Sequence, residues 1–112
     1  MTDLEARFET EMVETVYRTA GRETGYWASY FLRAVRQHGG VRAARRLLGT
    51  HGPSKGLLKL RDKNRLDLAM ETLVLKPEYS ALFTDEERAT AARLLEDVRS
   101  FDPNGLSRST PA

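Results

Sequence analysis

Leu4, Phe8, Met12, Val16 and Ala20 recur at every fourth position, with Val13 and Tyr17 beside them. That spacing places one apolar stripe along a helix of about five turns. The same period returns in every later segment. Tyr26, Trp27, Tyr30, Phe31, Ala34 and Val35 form the second set, and Val41, Ala44, Leu47 and Leu48 the third. Leu57, Leu58 and Leu60 follow, then Leu66, Ala69, Met70, Leu73 and Val74, then Ala89, Ala92, Leu95 and Val98. No useful length of β-alternation interrupts them. Amphipathic helices without a sheet must bury their stripes against one another. The expected fold class is therefore all-α, a compact single-domain bundle of about six helices with no β-sheet.

Local chemistry sets the expected boundaries. Thr2 with Glu5 has the form of a capping box, and Gly21 is the expected stop of the first helix. Thr24 is the expected cap of the second, with Gly39-Gly40 beyond His38 as its end. The third runs from about Val41 to Leu48, where Ala43 and Ala44 permit close approach and Gly49 closes. Ser54 caps a short fourth helix, and Asn64 is the expected cap of a fifth, with Asp67 near its positive end. Lys76-Pro77 stops that helix, and Pro77 opens a single turn. Thr84 with Glu87 is a second capping box, leading the last helix. The 112 residues make one domain, expected over 1–101, with 102–112 as a flexible C-terminal tail.

Composition narrows the chemistry. The chain has no cysteine, which removes disulfides, thiolate metal sites and cysteine nucleophiles and fits a cytoplasmic protein. No apolar run approaches the roughly 18 residues of a membrane span, so no membrane partner is expected. The acidic start, MTDLEARFETEM, is unlike a signal peptide. The net charge is only +2, but its distribution is uneven. From Thr24 to Arg61 there is no acid, while acids crowd both flanks.

Catalytic and metal readings are weak. His38 and His51 fall at helix ends or turns, and no carboxylate lies between them to orient an imidazole beside Ser54. Ser54 reads as a cap rather than a nucleophile. Asp67 and Glu71, at i and i+4 with Asp62 nearby, lack the histidines or cysteines of a zinc site and the alternating oxygens of a calcium loop. They read as a solvated face or as partners of Arg65 and Lys63. GTHGPSKG lacks the glycine before lysine, and the preceding strand, of a phosphate loop. No enzyme activity, cofactor or metal is expected.

Nucleic acid is the expected partner. GGVRAARRLL, a turn, then SKGLLKLRDKNRL has the outline of a helix-turn-helix, although five residues, Gly49 to Pro53, exceed the usual turn. The second helix is leucine-rich and carries no set of base-reading side chains. Arg42, Arg45, Arg46, Lys55, Lys59 and Arg61 are instead the expected phosphate-backbone contacts. A protein partner or homo-oligomer is the alternative, with the acidic first helix docking on a basic face. The aromatic cluster Tyr26, Trp27, Tyr30 and Phe31 reads as core rather than as a stacking or partner surface. The four cannot all face inward at equal depth, which leaves one side of that helix open to exposure.

GYWASYFLRAVRQHGGVRAARRLL, PSKGLLKL and RLDLAMETLVLKPEYSALFTDEE together resemble a small, poorly characterised bacterial helical domain. Its hallmarks are a GGVxAAxxLL helix, an RLDLxxExLVL helix and an LFTxEE start, and the likeness covers about Gly25 to Leu95. The matching residues are Gly39, Gly40, Ala43 and Ala44, then Arg65, Asp67 and Glu71, then Leu82, Phe83 and Thr84. The chain departs at Arg61, where the family has an aromatic. The resemblance implies a domain found alone or attached to nuclease- or defence-type proteins, and a nucleic-acid-associated accessory role.

Overall fold

The fold begins with one long helix that changes its winding. The computed structural model describes residues 2–50 and 52–100; His51 and the expected tail, 102–112, lie outside them. Thr2 and Glu5 form the capping box, Thr2 N–H donating to Glu5 Oε1 and Glu5 N–H to Thr2 Oγ1. From there α1 (Asp3–Glu11), a π-helical stretch (Met12–Thr19) and α2 (Ala20–Thr24) run on without a break. In the π stretch hydrogen bonds reach five residues back: Ala20 N–H contacts Thr15 O, and Thr19 Oγ1 donates to Glu14 O at 2.9 Å.

This winding answers the strict four-residue spacing. In an α-helix every fourth side chain is carried about 40° onward. The wider turn rotates less per residue, so it brings Val16 and Ala20 back toward the side of Phe8 and Met12. Phe8, Met12 and Ala20 are all buried.

Gly21 does not end this helix. A Cβ there would lie 2.3 Å from the Trp27 ring, so the glycine exists to seat the indole. The end comes at Gly25, with φ of 76° and its N–H on Gly21 O at 2.8 Å. Thr24 is likewise not the cap of the next helix. Its hydroxyl donates to Ala20 O and accepts from Tyr26 N–H, which folds the connection.

Helix α3 (Ser29–His38) starts from Ala28 and buries Phe31 and Val35. Gly39, with φ of 84° and ψ of 160°, holds a conformation essentially restricted to glycine. Helix α4 (Gly40–Leu48) follows at once and packs on α3, α1 and α7. Ala43 and Ala44 are fully buried in that seam. At its start a Cβ on Gly40 would meet Glu9 Cα at 2.8 Å, while Gly40 N–H donates to Glu9 Oε1 at 3.0 Å. The Glu9 carboxylate thus satisfies one of the free amides at a positive helix end.

Ser54 caps α5 (Lys55–Asp62), accepting from Leu57 N–H at 3.1 Å. Asn64 does not start a helix; it finishes α5. With φ of 58°, it lets Asn64 N–H reach Arg61 O and Arg65 N–H reach Leu60 O. Those two bonds are a Schellman motif with asparagine in the left-handed position. The expected fifth helix is consequently broken into a 3-10 turn (Leu66–Leu68) and α6 (Met70–Val74), with extended Ala69 between them.

The break separates Asp67 from Glu71. Asp67 stays exposed and takes two hydrogen bonds from Arg65, which hold its carboxyl below the ordinary range. Glu71 is buried, only 6 % exposed. The two do not share a solvated face.

A 3-10 turn (Pro77–Leu82) leads to α7 (Asp85–Ser100), opened by the Thr84–Glu87 capping box. The face of α7 turned inward carries Ala91, Leu94, Leu95 and Val98; Ala89 and Ala92 are exposed, against expectation. Ala91 and Leu94 fit the same helical period as Leu95 and Val98, so alanine at 89 and 92 gave no reliable sign of the buried side. Under α1, Phe8 meets Tyr79 and Phe83 edge-on at 5.1 and 5.2 Å, the geometry aromatic rings favour. The described residues thus form an all-α bundle of seven α-helices with no strand. Among them no helix is long and apolar enough to cross a membrane.

Two outcomes follow. Gly40→Ala drives its new Cβ against the Glu9 backbone and should destabilise the fold by about 1–3 kcal/mol in urea denaturation. Gly49→Ala, whose new Cβ would sit 3.5 Å from its nearest neighbour, should stay within about 1 kcal/mol of the parent. The second concerns Glu71, whose carboxyl burial raises above the ordinary value of 4.5. A raised folded pKa means the native state holds the proton more tightly. Its contribution is therefore full below the unfolded value and is lost as pH rises through the folded one. Stability of the parent relative to Glu71→Gln should fall as pH climbs above 4.5, measured by denaturation at stepped pH.

Candidate functional site

The turn at Gly39 folds α3 back beside α4, and their outward rows meet along a cleft of about 390 Å³. Residues at i, i+3 and i+7 share a helix face, and on α3 that row is Tyr30, Arg33 and Gln37, with His38 at its end. Arg45 and Arg46 supply the opposite wall from α4. No aspartate or glutamate lines the cleft. The inner rows explain the arrangement: Phe31 and Val35 on α3, and Ala43, Ala44 and Leu48 on α4, are buried and leave only the polar rows outside.

The two arginines of α4 differ in freedom. Arg45 is tied down. Its Nη2 donates to Leu82 O at 2.8 Å, its Nε lies 3.3 Å from Glu87, and its guanidinium stands 5.9 Å from the centre of the Phe83 ring. Arg46 is exposed and, like Arg33, makes no hydrogen bond or ion pair among the described residues. The cleft therefore combines one fixed guanidinium with two free ones.

The six expected contact residues separate. Arg45 and Arg46 line the cleft. Arg42 is exposed one turn earlier on α4 but does not line it. Lys55 begins α5 and stands 5.9 Å over the Tyr26 ring, beside a different cavity. Lys59 is exposed one turn further along α5, away from both hollows. Arg61 is drawn back onto Asp62 at 2.7 Å, its side chain only 17 % exposed. Helices α4 and α5 also make their main contacts elsewhere, α4 with α3 and α1, α5 with α7 and the 3-10 turn. They are not the mutually packed pair of a helix-turn-helix.

Sequence reasoning missed Arg33 and His38 as members of the site. Arg33 lies on the row opposite Phe31 and Val35, a signal the spacing carries. His38, three residues after Val35, falls on their side and reaches the cleft only at the end of α3. Tyr30, on the row of Arg33, is 72 % exposed and Trp27 46 %. These two lie outside the core that the spacing predicts for the aromatic cluster, while Phe31 is buried in it. Ser54 serves as a cap, and among the described residues no group of three or more His, Asp or Glu is placed to hold a metal ion. Comparison with family models, curated proteins and solved structures finds no match.

The contrast between the arginines is testable. Arg45→Ala removes a charged hydrogen bond and a packed stem, discounted for its half-exposed position, and should cost about 1 kcal/mol. Arg46→Ala should change stability by no more than about 0.5 kcal/mol, both read by thermal denaturation.

Proposed function

We propose that the chain is a non-catalytic helical module that binds the phosphate backbone of nucleic acid through the α3–α4 cleft. The observation that carries this reading is the acid-free lining that sets Arg33, His38, Arg45 and Arg46 around one concave surface. Arginine forks match phosphate oxygens bidentately, and a concave basic surface concentrates the attraction. Arg42, on the exposed face of α4, adds positive charge one turn beyond the cleft, whereas Lys55 and Lys59 on α5 lie apart from it. Tyr30 at the rim offers a ring on which an unpaired base can stack. Nothing in the cleft is arranged to read base edges, so binding is expected without sequence preference. The resemblance to a domain found beside nuclease- and defence-type proteins favours the same reading, with a role as an accessory of a DNA-processing or defence complex in the cytoplasm.

A protein partner or self-association is the second reading, favoured by the exposure of Tyr30 and Trp27. Sedimentation equilibrium separates it: a concentration-dependent oligomer that Tyr30→Ser abolishes would support it.

For the lead reading, fluorescence anisotropy with duplex and single-stranded DNA at two salt concentrations is the test. Affinity should fall steeply with salt as counterions are displaced. Arg33→Glu with Arg46→Glu should abolish measurable binding, and Arg46→Ala alone should lower the salt slope by roughly 1. Absence of binding at low salt, or indifference to the double reversal, overturns the reading.

A further inference from the structure

A second hollow lies between the long helix, α3, α5 and α6. It is a cavity of about 150 Å³, open on one side, with Val16, Tyr26, Phe31, Leu57 and Met70 among its walls and Glu71 lining it as well. Glu71 is the only charged residue among the described ones that is buried. Its carboxylate accepts from its own main-chain N–H at the start of α6, and it has no hydrogen bond or ion pair with any other side chain.

The neighbouring polar groups do not supply one. The hydroxyls of Thr24, Thr50 and Ser54, which also line the cavity, are committed to Ala20 O, Leu47 O and Leu57 N–H respectively. The Lys55 ammonium rests over the Tyr26 ring. An ionised carboxylate in such a place costs several kcal/mol unless a cation joins it. An apolar cavity of about 150 Å³ accommodates a benzene-sized body, and aromatic faces beside an acid attract an ammonium group.

From this juxtaposition of a benzene-sized apolar cavity, aromatic walls and a buried carboxylate without a cationic partner, we propose that the cavity is a binding site for a small hydrophobic amine. Its ammonium group would donate to Glu71, and its compact ring or branched hydrocarbon would lie against Phe31, Leu57 and Met70. The two parts of the ligand act differently. The apolar body gains from leaving water. The ammonium group supplies the counter-charge that the fold omits, and it converts a costly buried acid into a hydrogen-bonded ion pair. A neutral isostere of the same shape gains the first term and not the second. This site is independent of the nucleic-acid reading and stands whether or not that reading does.

The test is titration of the full chain, labelled for amide NMR, with benzylamine and with benzyl alcohol at pH 7. Benzylamine should saturate, shift the amides of Phe31, Leu57, Met70 and Glu71, and bind roughly tenfold or more tighter than benzyl alcohol. In Glu71→Gln, which keeps the side-chain shape, that preference should disappear while benzyl alcohol binds as before. Equal binding of the two probes to the parent, or no saturable shift at these positions, overturns the proposal without relying on any variant. A preference for benzylamine that survives in Glu71→Gln also overturns it, because the charge would then be read elsewhere.

Discussion

The close approach of α4 to the long first helix is the contact on which the remaining arrangement depends. Gly40 sits so near Glu9 that a single added carbon would overlap backbone, and the Glu9 carboxylate receives the Gly40 amide. Gly39 must supply a backbone conformation available only to glycine for α4 to arrive there. With that corner fixed, Ala43 and Ala44 meet the core at zero exposure. The arginines of the same helix then have no direction left but outward. The basic wall of the cleft is thus a consequence of two glycines and two alanines, none of which carries charge.

Much of this was legible because helical period and capping are local. The Thr2–Glu5 and Thr84–Glu87 boxes and the Ser54 cap depend on residues three apart, and they form as their spacing implies. Failures came where one residue type serves two physical purposes. Gly21 reads as a stop, yet its missing side chain makes room for Trp27, six residues later. Asn64 reads as a helix start, yet its tolerance of positive φ closes the helix before it. The chain direction in which such a residue acts is decided by which carbonyls are left unsatisfied, and composition does not carry that information.

The same limit shaped the view of the sites. Arg42, Arg45 and Arg46 stand out in sequence because they crowd one short helix. Arg33 and His38 do not, since they join Arg45 and Arg46 only after Gly39 folds α3 back. Conversely, Lys55 and Arg61 share the acid-free stretch with the α4 arginines, but one rests on Tyr26 and the other on Asp62. Charge along a sequence measures what is present; charge in a cleft also depends on which groups are already neutralised. Arg45, held by Glu87, and Arg46, held by nothing among the described residues, are adjacent in sequence and unlike in availability.

Glu11 and Glu71 make that distinction sharpest, because both are acids drawn in among apolar side chains. Glu11 is satisfied: it accepts from the Tyr79 hydroxyl and lies 3.3 Å from the Lys76 ammonium. Burial, and then the Glu11 carboxylate, push the Tyr79 hydroxyl up to about 12, so the phenol remains a donor throughout the physiological range. That network ties the long helix to the 3-10 turn before α7. Glu71 has the same carboxylate, deeper burial, only its own main-chain N–H as donor and no cation beside it. Had its role been to hold α6 in place, glutamine or a leucine of similar volume would serve with less desolvation cost. A fold that gives one partly buried acid a lysine and leaves the other, beside a cavity, without a counter-charge has separated a structural position from a binding position by charge pairing alone.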